Sequence, residues 1–173
     1  MALETTTIQN KLVEKFGTAV SNFAQQHDIY TFEVASESNL EVMRFLKEDP
    51  TLRFNFLTDV CGIHYPDNSS DREFAVVYHM HNWLDNTRIR FKCFLSLSNI
   101  EINSVTSLFS GANWQERETY DFYGILFKGH PQLKRILNMD EMTSFPLRKE
   151  FPLEDGGRTD KDDRFFGRTT DNC

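Results

Sequence analysis

Four charged side chains fall within six residues at Glu116, Arg117, Glu118 and Asp121, inside the run W-Q-E-R-E-T-Y-D-F-Y that begins at Trp114. Paired carboxylates can do general acid–base work, and Arg117 and Asp121 at i,i+4 can pair on one helix face. No nucleophile or phosphate loop accompanies them in the sequence. Two further readings therefore stand beside a catalytic one: a solvated helix face and an interface charge cluster. Downstream, His130, Lys134 and Arg135 follow the apolar G-I-L-F segment, and Arg148 and Lys149 lie between Pro146 and Pro152. Guanidinium forks suit fixed carboxylate partners. The plainer alternative is a solvated basic loop.

Other candidate chemistry is thinner. His79 and His81 alternate on a strand-like run, which puts both imidazoles on one face. His64, expected on the neighbouring strand, is the third group a metal would need, but ordinary polar-face histidines explain the pattern as well. Cys61, Cys93 and Cys173 are widely spaced, and no C-x-x-C occurs, so a zinc site or Fe–S cluster built by this chain alone is not expected. Reduced thiols are the expectation. Gly156-Gly157 lacks the pattern and the strand–helix context of a phosphate loop.

The elements that must position these residues follow from periodicity. Ile8, Leu12, Val13 and Phe16 predict a helix stopped by Gly17, with Val20, Phe23 and Ala24 extending the same pattern. Ile29 to Val34 reads as a strand, and Leu40 to Leu46 as a helix that ends before Pro50. Phe54 to His64, Glu73 to Asn82 and Thr87 to Leu97 read as three further strands. In the last, Ile89, Phe91 and Cys93 alternate with Arg88, Arg90 and Lys92, giving one apolar and one basic face. Ser104 to Phe109 suggests a short helix. Asn113 would cap a second one, Trp114 to Tyr123, which Gly124 stops. The expected fold is α+β, a two-layer antiparallel sheet with helices on one face over residues 1–125, followed by an extended C-terminal arm over 126–173. Within the arm, Arg164-Phe165-Phe166 is the apolar handhold of a polar tail.

A length of 173 residues with 39% apolar side chains suffices for one core. The net charge of −7 argues against nucleic acid, which needs a basic surface to displace counterions, and against docking on anionic lipid by bulk charge. No run reaches the ~18 apolar residues of a membrane span. Residues Met1 to Lys11 carry neither a signal core nor an Arg-rich transit pattern, which favours a protein that stays in the compartment where it is made.

The run E-R-E-T-Y-D-F-Y-G-I-L-F-K-G-H-P-Q-L-K-R-I-L, continued by P-L-R-K-E-F-P-L, resembles the signature of the C subunit of the proton-pumping NADH–quinone oxidoreductase, respiratory complex I, the 30 kDa subunit family. Weaker agreement runs back through G-A-N-W, R-I-R-F-K, F-A-V-V-Y-H and F-N-F-L-T-D-V, so it covers most of residues 15–153. Two positions depart from the family pattern. Ser144-Phe145 stands where the family often has Gly-His, and Asp121-Phe122-Tyr123-Gly124 where it often has D-x-F-G.

The resemblance implies an α+β domain with an extended arm, in the hydrophilic part of a complex that passes electrons from NADH through FMN and Fe–S clusters to quinone. It implies no cofactor in this chain, the D subunit as chief partner with B and I nearby, and a peripheral position on the cytoplasmic side of the inner membrane. Glu116, Arg117, Glu118, Asp121, His130, Lys134, Arg135 and Arg148 match the family's motif, where their role is structural and interfacial. The rival expectations are an equivalent subunit of a membrane-bound hydrogenase, separable by gene neighbourhood, and an independent enzyme using Glu118 and Asp121.

Overall fold

Two buried positions one helical turn apart, Ile8 and Leu12, define the first helix, α1 (Thr5–Phe16), which Gly17 closes with a positive φ of 54°. The computed structural model describes residues 3–151. The segment after Gly17 is not more helix but a strand, β1 (Val20–Gln26). It pairs antiparallel with β2 (Ile29–Val34) around His27-Asp28. Both of those residues have positive φ, at 50° and 62°, the twist that a two-residue hairpin turn requires. Val20, Phe23 and Ala24 satisfy a helical spacing, but a tight turn and an adjacent partner strand outweigh so short a pattern.

Helix α2 (Asn39–Glu48) buries Val42, Met43 and Leu46, and then β3 (Phe56–His64), β4 (Phe74–Asn82) and β5 (Thr87–Leu95) follow. Those three strands form the expected antiparallel meander. The sheet as a whole is mixed, in the order β1-β2-β5-β4-β3, because β2 joins β5 in parallel. The all-antiparallel expectation is corrected there. Alternation in a strand sequence sets its faces but not the direction of its neighbour. β2 lies inside the sheet between β1 and β5, with Tyr30, Phe32 and Val34 buried on the core face.

The core lies on one face of the sheet. A run of rings crosses four strands: Phe23 to Phe32 at 5.5 Å, Phe32 to Phe91 at 5.7 Å and Phe91 to Tyr78 at 4.8 Å. Ile8, Leu12, Val42, Met43 and Leu46 from the two helices belong to the same buried cluster. The Tyr78 hydroxyl accepts from Asn39 Nδ2, which also donates to the Asn103 carbonyl.

Asn103 ends a short strand, β6 (Glu101–Asn103), which pairs in parallel with β7 (Leu126–Lys128). Between them stands α3 (Ala112–Tyr123). The expected helix over Ser104 to Phe109 is instead a single turn in which the Val105 carbonyl accepts from Leu108 and Phe109 N–H. Asn113 is not the cap of α3. Its first N–H groups, from Ala112 and Asn113, bond to the carbonyls of Phe109 and Ser110, so the preceding turn does the capping.

Helix α3 shields the outer edge of β3. Thr119 Oγ1 and Gln115 Nε2 donate to the carbonyls of Val60 and Thr58 at 3.4 and 3.3 Å. One helical turn, about 5.4 Å, roughly matches two strand residues at about 6.7 Å, so i,i+4 side chains can follow an i,i+2 carbonyl row. The approach is close enough that a Cβ at Gly62 would lie 2.7 Å from the Tyr123 ring and 3.0 Å from the Thr119 methyl. Gly62→Ala should therefore lower stability by about 1–3 kcal/mol through overpacking, read as a drop in the urea midpoint at unchanged slope. An unchanged midpoint would contradict this helix–strand distance.

Candidate functional site

Asp121 is 0% exposed, yet its surroundings favour the ionised carboxylate. It lies in the last turn of α3, before Gly124 turns the chain in the left-handed region at φ 74°. After β7 the backbone runs irregularly back across the end of α3, and five donors from that return segment converge on the carboxylate. Arg135 Nη1 and Asn138 Nδ2 reach Oδ1 at 2.7 and 3.1 Å. The backbone N–H groups of Ile136, Leu137 and Asn138 reach Oδ2 at 3.0, 2.8 and 2.9 Å. Burial would raise the Asp121 pKa. The amides of Asn138, Leu137 and Ile136 together with the Arg135 guanidinium outweigh it, and the carboxyl is held well below the usual carboxylate range.

Arg135 is the hub of the segment it belongs to. Besides Asp121, it donates to the Met142 and Ser144 carbonyls at 2.6 and 3.1 Å, and its side chain is only 7% exposed. Phe145 lies under two guanidinium groups, 5.1 Å from Arg135 and 4.7 Å from Arg148. Arg148 also donates from Nε to the Tyr123 carbonyl at 2.8 Å and lies 5.0 Å from the Phe74 ring. A Cβ at Gly124 would come within 2.6 Å of Phe145 and 2.7 Å of Arg148 Nη2, so that position needs glycine for space as well as for its φ.

Arg117 does not pair with Asp121 at i,i+4 as the spacing allows. Its Nε and Nη2 donate to the carbonyls of Lys134 and Arg135, both at 3.0 Å, while its guanidinium lies 5.1 Å from the Trp114 ring. His130 Nδ1 accepts from Gln132 N–H, which leaves Nε2–H to donate to the Asn113 carbonyl at 3.2 Å. Glu116 faces the other way. Fully buried, it accepts from Ser104 Oγ at 2.6 Å and from Val105 N–H at 2.7 Å, tying α3 to the turn after β6.

Six of the eight sequence candidates thus bond within the chain. Glu118 and Lys134 are exposed, and their side chains make no hydrogen bond or ion pair among the described residues. Glu118 borders a cleft of about 160 Å³ with Asp59, Cys61, Phe122, Tyr123 and Leu147, but Asp121 does not line it. The two carboxylates of the catalytic reading therefore share no pocket.

The three histidines do not converge either. His79 and His81 share the open sheet face. His64 stacks on Phe74 at 4.5 Å, buried on the opposite face, and no metal-ligating group of three occurs among the described residues. His64 instead helps clamp the return segment onto the body: Nδ1 accepts from Lys149 N–H at 2.9 Å, so Nε2–H donates to Glu73 at 3.0 Å. Sequence reasoning missed this role, as it missed Phe145 and Asn138. The departure at Ser144-Phe145 was the one signal, since an aromatic ring where the family often has histidine is what the two arginines cover. Cys61 and Cys93 are free thiols, while Cys173, Pro152 and Arg164-Phe165-Phe166 lie outside the described residues.

The two buried carboxylates of α3 make opposite pH predictions. Burial pushes Glu116 from the usual 4.5 up to about 7, against the opposing bonds from Ser104 and Val105. Between those values the unfolded chain has lost its proton while the folded chain keeps it, so this group's contribution to stability falls as pH rises from about 4.5 to about 7. Glu116→Gln should flatten that part of the profile in urea titrations at pH 5 and 7.5. The depressed Asp121 carboxyl contributes stability that is complete above its unfolded pKa of about 3.8 and is lost progressively as pH falls from there through its lower folded value. Over the same window Asp121→Asn should lower stability at both pH values alike.

The protein-family description "Respiratory-chain NADH dehydrogenase, 30 Kd subunit" matches residues 32–156. The second C subunit of the NADH-quinone oxidoreductase of Rhizobium meliloti (strain 1021) is 44% identical over 143 residues, covering 82% of this chain and 76% of the relative. The NADH-quinone oxidoreductase C subunit of Roseiflexus sp. (strain RS-1) is 38% identical over 168 residues, or 96% of this chain and 95% of the relative. Among solved structures, Nqo5 of the trypsin-resistant fragment (1-134) is 28% identical with a TM-score of 0.61, covering 73% of this chain and 98% of that one. With the signature, the α+β fold and these matches in agreement, the chain belongs to the family of the 30 Kd subunit of the respiratory-chain NADH dehydrogenase and is a subunit of the hydrophilic arm of that complex.

Proposed function

We propose that this chain is a structural subunit with no catalytic site and no cofactor of its own, whose α+β body fixes the path of a C-terminal arm that grips neighbouring subunits. The arm comprises residues 126–173 and packs chiefly on the D subunit, with B and I adjoining. FMN, the Fe–S clusters, NADH and quinone belong to those other subunits. The chain is peripheral, on the cytoplasmic side of the bacterial inner membrane. In keeping with this, no helix among the described residues is long and apolar enough to cross a membrane.

The observation that carries the reading is that the chain itself satisfies six of the eight signature side chains, Asp121 and Arg135 above all. A carboxylate that already accepts five hydrogen bonds has no lone pair left for a substrate proton, and a guanidinium that holds two or three carbonyls is a brace. The clamped segment also leaves Leu137, Met139, Leu147 and Phe151 exposed, at 65, 75, 41 and 38%. A segment held rigidly while it presents apolar side chains is preorganised for a protein partner, because its ordering cost is met before binding.

Breaking a buried ion pair typically costs about 3–5 kcal/mol. Arg135→Ala should therefore reduce the amount of assembled complex strongly, and Arg117→Ala less so, while NADH affinity in whatever complex forms stays unchanged. Affinity capture of the native chain should bring down the D, B and I subunits. A fully assembled Arg135→Ala complex with an isolated loss of turnover would assign the residue to catalysis instead.

A further inference from the structure

The face of the sheet opposite the core is not covered by either N-terminal helix. Its middle strand is β5, whose outward residues are Arg88, Arg90 and Lys92, with Arg88 exposed and the other two half-buried. Strand geometry spaces these alternate side chains about 7 Å apart, close enough to repel one another. None of the three is ion-paired among the described residues, although the chain as a whole carries a net charge of −7. Arg90 bonds to neutral oxygens, Thr31 Oγ1 at 3.1 Å and Gln26 Oε1 at 3.3 Å.

The acids within reach are turned elsewhere. Glu33, opposite Lys92 in the register, is held by Arg72 at 2.9 Å, and Asp59 lies 3.8 Å from His79. Elsewhere in the fold, cations find acids readily, as Lys11 finds Asp49 at 2.8 Å and Lys128 finds Glu101 at 2.6 Å. An uncompensated cationic row in the middle of a sheet, on an acidic protein, is the exception.

An apolar lip adjoins the row. Phe56 pairs in register with His81, and His81 with Arg88, so the three side chains stand side by side on this face. Trp83, in the β4–β5 turn, packs edge-on against Phe56 at 5.2 Å and lies 6.0 Å from His81. Phe56, Trp83 and Leu84 are 43, 64 and 69% exposed. Exposed tryptophan beside arginine is the composition that dominates binding energy at protein interfaces, whereas a merely solvated face has no use for three large apolar groups at one end. The patch also lies at the end of β3 and β4 away from His64 and Lys149, so the clamp does not reach it.

We propose that this face is a second docking surface, on which Arg88, Arg90 and Lys92 bind an acidic segment of another subunit of the complex while Phe56, Trp83 and Leu84 take an apolar side chain of the same segment. Carboxylates on the segment supply the missing counter-charges. The guanidinium forks favour carboxylates over neutral polar groups, and the lip fixes the direction in which the segment lies. The proposal does not depend on the clamp or on where the arm packs.

Zero-length carbodiimide coupling of the intact detergent-solubilised complex tests it. The expected product joins Lys92 Nζ to an Asp or Glu of a different subunit, and hydroxyl-radical oxidation of Trp83 should be about tenfold slower in the complex than in the free chain. The double variant Arg88→Glu/Lys92→Glu should keep the melting temperature of the free chain and be recovered in assembled complex about tenfold less than the parent. Should the variant fail to fold, the coupling and oxidation measurements on the parent protein decide alone. Equal reactivity of Trp83 and Lys92 in the complex and the free chain overturns the proposal. So does coupling of Lys92 only to Glu33 of its own chain or to a second copy of this chain, and so does protection that disappears when lipid is removed. Because Arg135→Ala acts on the opposite end of the body, loss of one set of effects leaves the other interpretable.

Discussion

A buried negative charge dictates the path of the chain after α3. Asp121 has no water to solvate it, so its two oxygens need donors from the protein, and α3 has none to give at its own C-terminal end, where carbonyls rather than amides point outward. The return segment supplies them: three consecutive backbone amides, one side-chain amide and a guanidinium. Once those bonds exist, Arg135 is fixed and its second nitrogen braces the Met142 and Ser144 carbonyls. Phe145 is then set between two arginines. An irregular stretch with no helix or strand of its own thus acquires a single path.

Two carboxylates on one helix meet opposite fates because of the number and charge of the donors that reach them. Both are removed from water. Glu116 receives two hydrogen bonds and keeps its proton to about pH 7, whereas Asp121 receives five and loses its proton far more readily. Glu116 therefore behaves near neutrality as a polar peg between α3 and the Ser104 turn, and Asp121 as a permanent anion. Proximity on a charged helix says little about function until the partners are counted.

How much of this was legible in the sequence varies with the kind of information involved. The alternation in β5 and the strand-like runs of β3 and β4 defined the meander, and Gly17 and Gly124 marked the ends of their helices. Each of these is a local signal. The parallel junction of β2 with β5 was not legible, since nothing in I-Y-T-F-E-V encodes the direction of a neighbour 59 positions away in the Thr31–Arg90 pair. Nor was the burial of Asp121 and Glu116: a charged helix reads as wet unless the donors that dry it are known, and those lie in segments without periodicity. The signature motif singled out eight residues. It could not say that six of the eight turn toward their own chain.

The link between His64 and Lys149 joins positions 85 residues apart, while Asp121 and Arg135 are separated by only 14. Closing the longer loop restricts the chain more, and it requires β3 to be already in place beside β4. The local bonds around Asp121 can form as soon as α3 exists, but the Lys149 contact must wait for the sheet. The described segment after β7 is therefore anchored at two sequence ranges, and the Lys149 bond requires that the body has closed. A partner surface that arrives before the body closes meets this segment without its Lys149 bond.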